Sequence, residues 1–117
     1  MKNLLEALKN TLANEGVGVK AIEQLKALRE WFKSNLNEPG YVRMIRLAYE
    51  NIEANGDYTF LYLEEEDGKA NLDYFLDLLL DYQNKYNKDE LIDIRHLMEG
   101  TTREEEETEG EETAEQA

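Results

Sequence analysis

A chain of 117 residues, 41% of them hydrophobic, has room for one domain with a single modest core. Residues 1–56 hold 8 Lys/Arg against 7 Asp/Glu and residues 57–117 hold 5 against 20, so the formal net charge of −14 belongs to the second half. A surface of that sign repels nucleic acid and anionic membranes and attracts basic proteins or cations; the absence of cysteine excludes disulfides, thiolate nucleophiles and cysteine zinc sites.

Leu4, Leu5, Leu8 and Leu12 keep helical spacing and predict a first helix over Lys2–Asn14, stopped by Glu15–Gly16 and Gly18. The second, Val19–Leu36, sets Ile22, Leu25, Leu28, Phe32 and Leu36 on one stripe and Lys26, Arg29 and Lys33 along its edge; Trp31 falls off that stripe. After the turn at Asn37–Gly40, Val42, Ile45, Ala48, Tyr49 and Ile52 predict a third helix over Tyr41–Ala54, ending at Asn55–Gly56. Tyr58–Leu63 (YTFLYL) reads as a short buried strand, which Glu66–Lys69 would turn back into Lys69–Leu72 as a β-hairpin. The alternative is a short helix capped by Asp57 and an all-α protein.

The best-patterned stretch is Asn71–Asn87. Leu72, Phe75, Leu76, Leu79, Tyr82 and Tyr86 share one helical face, with Asp73, Asp77 and Asp81 opposite. A last helix begins at Asn87–Asp89, turns Leu91, Ile94 and Met98 inward, leaves His96 on the surface near Asp93, and stops at Gly100. Residues 101–117 carry eight Glu and nothing larger than Ala that could pack. The expected architecture is therefore mainly α. Residues 1–99 form one compact domain of four to five helices with one short β-hairpin, and 100–117 form a disordered acidic tail.

The Asp73/Asp77/Asp81 ladder accepts a small local penalty, about 0.5–0.7 kcal/mol per Asp, from propensity. Either it is a solvated face kept soluble by charge, or it imitates a phosphate backbone and enters a basic groove. Residues four apart rise about 6 Å, whereas phosphates on one strand advance roughly 3.4 Å along the duplex. Glu64, Glu65, Glu66 and Asp67, Asp89–Asp93 and the tail would have to thicken it. The tail itself confers solubility, binds a basic partner, or folds back on Lys26, Arg29, Lys33, Arg43 and Arg46. Calcium loops registered on Gly56 or Gly68 both fail, placing Asn51 and Tyr62, or Leu63 and Tyr74, at the first and twelfth positions. One serine, Ser34, and one histidine, His96, lack any catalytic flanking signature, and no phosphate loop occurs. Tyr62, Tyr74 and Trp31 are candidates for an exposed aromatic contact patch.

In length, charge and acidic C-terminus the chain resembles the small phage proteins that mimic DNA, a likeness of bulk properties that carries no residue across. The expectation is a noncatalytic, cofactor-free and metal-free acidic protein, an inhibitor or antitoxin-like chain that covers a basic surface of a protein partner, itself a nucleic-acid-binding protein in the DNA-mimic form. Its contacts would be Asp73, Asp77, Asp81 and Glu64–Asp67, with no direct binding of nucleic acid. With no apolar run of about 18 residues and no signal-peptide pattern behind Met1, it is expected in the cytoplasm, off the membrane. The alternative is an assembly component that self-associates as a homo-oligomer, its charge serving solubility.

Overall fold

The computed structural model describes residues 1–101, and five helices carry them: α1 Lys2–Glu15, α2 Val19–Asn35, α3 Pro39–Asn55, α4 Gly68–Leu80 and α5 Lys85–Glu99. Each helix packs against two others, and the contacts close a circuit in the order α1, α2, α3, α5, α4 and back to α1. The stripes expected from spacing fill the centre. Leu5, Leu8 and Leu12 of α1, Leu25, Leu28 and Phe32 of α2, Ile45, Ala48 and Ile52 of α3, Leu72, Phe75, Leu76 and Leu79 of α4, and Leu91, Ile94 and Met98 of α5 are all buried. Among the described residues, no helix is long and apolar enough to cross a membrane. Beyond Thr101, the expected acidic tail lies outside the described residues.

The β-hairpin is absent: no strand forms among the described residues, and neither does a helix capped by Asp57. Tyr58–Leu63 does keep the alternation of a strand, with Tyr58 buried, Phe60 and Tyr62 half-buried, and Thr59 and Leu61 exposed. Side chains supply what a partner strand would have supplied. The Asn51 amide accepts from Thr59 N at 2.7 Å and donates to Thr59 Oγ1 at 2.8 Å; the Asn71 amide accepts from Leu63 N at 2.7 Å and donates to Leu63 O at 3.1 Å. Residues 69–72 are unavailable for pairing because Asp67 starts α4, its carboxylate accepting from Ala70 N at 2.9 Å. Gly68 is buried against the returning loop. A Cβ built there would stand 2.3 Å from Tyr58 O, so only glycine allows the approach.

The helix expected over Asn71–Asn87 is two helices. α4 stops at Leu80, residues 81–84 turn, and Asn84 caps α5 by accepting from Tyr86 N at 2.9 Å and Asn87 N at 3.2 Å. Asn87 then donates to Leu78 O and Asp81 O, covering carbonyls that the ended helix leaves open. Asparagine competes with the helical backbone for such bonds, and here it wins. Tyr82 still reaches the core from the turn, its ring 5.5 Å from Tyr41 and 6.2 Å from Phe32 between centroids. Tyr86, expected inside, is rotated out and 65% exposed.

His96 moves the other way. Expected on the surface, it is buried at 6% exposure near the C-terminal end of α5. Its Nδ1 lies 2.7 Å from Thr101 Oγ1, and its carbonyl accepts from Thr101 N at 2.9 Å. The bond to Thr101 lets a ring with polar nitrogens sit where the pattern of Leu91, Ile94 and Met98 gave no sign of it.

Candidate functional site

The acidic residues singled out in the sequence divide into two groups by what surrounds them. Asp73 and Asp77, one turn apart on α4, both face Lys9 of α1, whose Nζ lies 2.8 Å from one carboxylate and 2.5 Å from the other. Burial lowers the Lys9 ammonium, but the two carboxylates outweigh it and leave its pKa above the usual value. One cation thus relieves the repulsion between two acids at i, i+4 and ties α1 to α4. Asp81 is not part of a ladder at all. It is the C-cap of α4, exposed, with a backbone that has left the helix.

Glu64, Glu65, Glu66 and Asp67 are exposed together on the turn before α4. Asp67 is committed to its cap, while Glu64–Glu66 pair with no basic side chain among the described residues. The turn is held from inside. Asn71, 3% exposed, donates to Glu66 O at 3.2 Å and Asp67 O at 2.9 Å besides clasping Leu63, and Glu66 N donates to Leu63 O at 3.0 Å.

Tyr62 joins this turn to α5. Its hydroxyl donates to Glu90 and lies 3.3 Å from Asp93, and its ring stacks on Tyr74 of α4, with centroids 6.2 Å apart and planes 13° apart. Tyr86 stands one turn before Glu90 on α5, and that carboxylate raises the Tyr86 phenol above its ordinary value. Burial, reinforced by the hydrogen bond and charge of Glu90 and then by Asp93, raises the Tyr62 phenol far above its ordinary value. The aromatic patch expected from Tyr62, Tyr74 and Trp31 therefore exists in part. Trp31 stands apart on α2, edge-on to Phe32 with centroids 5.8 Å apart.

Periodicity carried no signal for Glu90 as a partner of Tyr62. Their meeting depends on the break at residues 81–84, which re-aims α5. On the basic side, four of the five residues read as a patch are offset by the chain's own acids, Lys26 by Glu53 at 3.5 Å, Arg29 by Glu30 at 3.4 Å, Arg43 by Glu99 at 3.2 Å and Arg46 by Glu50 at 3.4 Å, and Lys33 is exposed on α2. Among the described residues, no set of three or more His, Cys, Asp or Glu is arranged to hold a metal. Ser34 lies exposed on α2 and His96 is buried on α5.

No protein-family model matches the chain, and neither a curated protein nor a solved structure matches it.

Proposed function

We propose that this chain is a noncatalytic binding protein whose acidic second half covers a basic surface on a protein partner. One observation carries the reading: the two halves treat their charges differently. In residues 1–56 cations and carboxylates are largely offset within the fold, whereas residues 57–101 hold 12 Asp/Glu against 4 Lys/Arg. There, Glu64, Glu65, Glu66, Asp81 and Glu90 pair with no basic side chain among the described residues. Carboxylates left without an internal cation repel one another, and a cationic partner relieves that repulsion.

The contacts favoured are Glu64–Glu66 and the outer face of α5, with Asp73 and Asp77 at the edge because Lys9 shares them. An inhibitor or antitoxin-like protein that occupies the nucleic-acid groove of its target, in the manner of a DNA mimic, is the most concrete form of this reading.

The test is capture with the full chain as bait, eluting in salt steps. A partner with a basic surface should be released between low and moderate salt, and a Glu64→Gln/Glu65→Gln/Glu66→Gln variant should fold normally and retain less of it. If that variant retains the partner as well as the parent does, the acidic turn is not the contact. If only the chain itself is recovered and salt does not release it, self-assembly replaces partner binding.

A further inference from the structure

Within this fold a tyrosine and a glutamate one helical turn apart already hold a cation. On α3, Tyr49 and Glu53 stand at i, i+4, and Lys26 of α2 occupies them, its ammonium 5.3 Å from the Tyr49 ring centroid and 3.5 Å from the Glu53 carboxylate. The ring face and the carboxylate act on the same charge from two directions, the first through its quadrupole and the second through Coulomb attraction. On α5 the same pair recurs as Tyr86 and Glu90, also at i, i+4, with Tyr86 65% exposed. Among the described residues no lysine or arginine lies over that ring or pairs with that carboxylate.

Resting on the basic-partner reading above, we propose that Tyr86 and Glu90 form a seat for an arginine side chain of the partner, with Tyr62 and Asp93 beside it. Charge complementarity selects a cation, and the surroundings select its shape. Glu90 already accepts from the hydroxyl of Tyr62, which holds its carboxylate in place one helical turn from the Tyr86 ring. A planar guanidinium can lie on the ring face and still direct N–H groups at Glu90; an ammonium is a more strongly hydrated point charge with no flat face to stack. Lys26 manages the equivalent contact on α3 as part of the same chain, so it loses no translational freedom in making it. Along α5 the stripe continues through Asp93 to Leu97, which is 42% exposed. Tyr86 to Leu97 spans about 16 Å of helix, enough for a partner segment with an apolar residue beyond its arginine.

Titrating the full chain with hexa-arginine and hexa-lysine peptides at low salt, and following the Tyr86 and Glu90 NMR signals, tests this. Hexa-arginine should bind at these signals about two- to fivefold more tightly than hexa-lysine. Tyr86→Leu, which keeps apolar area but removes the ring, should erase that preference. Glu90→Gln should weaken hexa-arginine more than Glu6→Gln does, a substitution that removes the same charge from an exposed site on α1. Equal loss from Glu90→Gln and Glu6→Gln, or equal affinity for the two peptides, overturns the arginine seat and leaves the basic-partner reading intact. If the parent binds neither peptide at low salt, the basic-partner reading falls with it. Circular dichroism on each variant confirms that α5 is retained.

Discussion

The first three helices and the last two are joined in different ways. Three-residue connections link α1 to α2 and α2 to α3, whereas twelve residues separate α3 from α4. In the short connections glycine and proline do the work: Gly16 closes α1 with φ of 79°, and Pro39 opens α3 at a position where its missing N–H costs nothing. The long connection has no regular structure. Its backbone is bonded by the amides of Asn51 and Asn71, its tip carries the unpaired acids, and its Tyr62 reaches α5. The first half is thus held together by local rules and a shared core. The second half shares that core, but its long connection is held by a few specific polar contacts, and the acidic turn depends on them.

If that comparison is right, the largest loss should come from Asn71→Ala. Removing a buried amide that serves Leu63, Glu66 and Asp67 leaves backbone groups without partners, at a cost of about 2–4 kcal/mol. Thermal unfolding should show a fall of 10 °C or more, roughly, for a domain of this size. Asn51→Ala, which loosens exposed Thr59, should cost only about 1 kcal/mol. A similar loss from both would mean that the turn before α4 is not specially anchored.

Gly68→Ala should follow at about 2–3 kcal/mol, since the new methyl meets the Tyr58 carbonyl and either the loop or α4 must shift. Gly40→Ala, with nothing within 4 Å of the added Cβ, is its control and should be close to neutral. Denaturant midpoints for the two variants check this, and a neutral Gly68→Ala would show that the loop does not return so tightly onto α4.

Alkaline pH should act through the loop as well. Burial holds Tyr58 protonated well above its ordinary value of 10.0, and burial with Glu90 and Asp93 does the same for Tyr62. Because the folded pKa is raised, the stabilisation is complete below pH 10 and is lost as the unfolded phenols ionise above it, by about 1 kcal/mol per pH unit for the buried Tyr58. Absorbance titration of the tyrosines should show two of the seven ionising later than the rest, together with the loss of helix. If all seven titrate together while the helices persist, the loop is open to solvent.

The smallest effect should come from Lys9→Met. It removes the cation between Asp73 and Asp77, and because both carboxylates are substantially exposed the cost should be about 1 kcal/mol. Adding Asp73→Asn and Asp77→Asn to Lys9→Met should recover most of it, since the pair would then no longer repel. A double-mutant cycle that shows no coupling would return these two acids to the free acidic surface.

What the sequence determined by itself was the mainly helical class, most of the inward stripe of each helix, and the concentration of net negative charge in the second half. Those follow from apolar spacing and residue counts, which act locally or in bulk. The end of α4, the outward turn of Tyr86, the burial of His96, the lost hairpin and the partnership of Lys9 with Asp73 and Asp77 came only with the tertiary structure. In each of them a side chain meets a backbone or a charge that the local pattern does not specify. Asn71 lies eight residues from Leu63, and Lys9 lies 64 residues from Asp73. Periodicity along one element holds no information about such meetings, because their energy arises only when the circuit of helices closes.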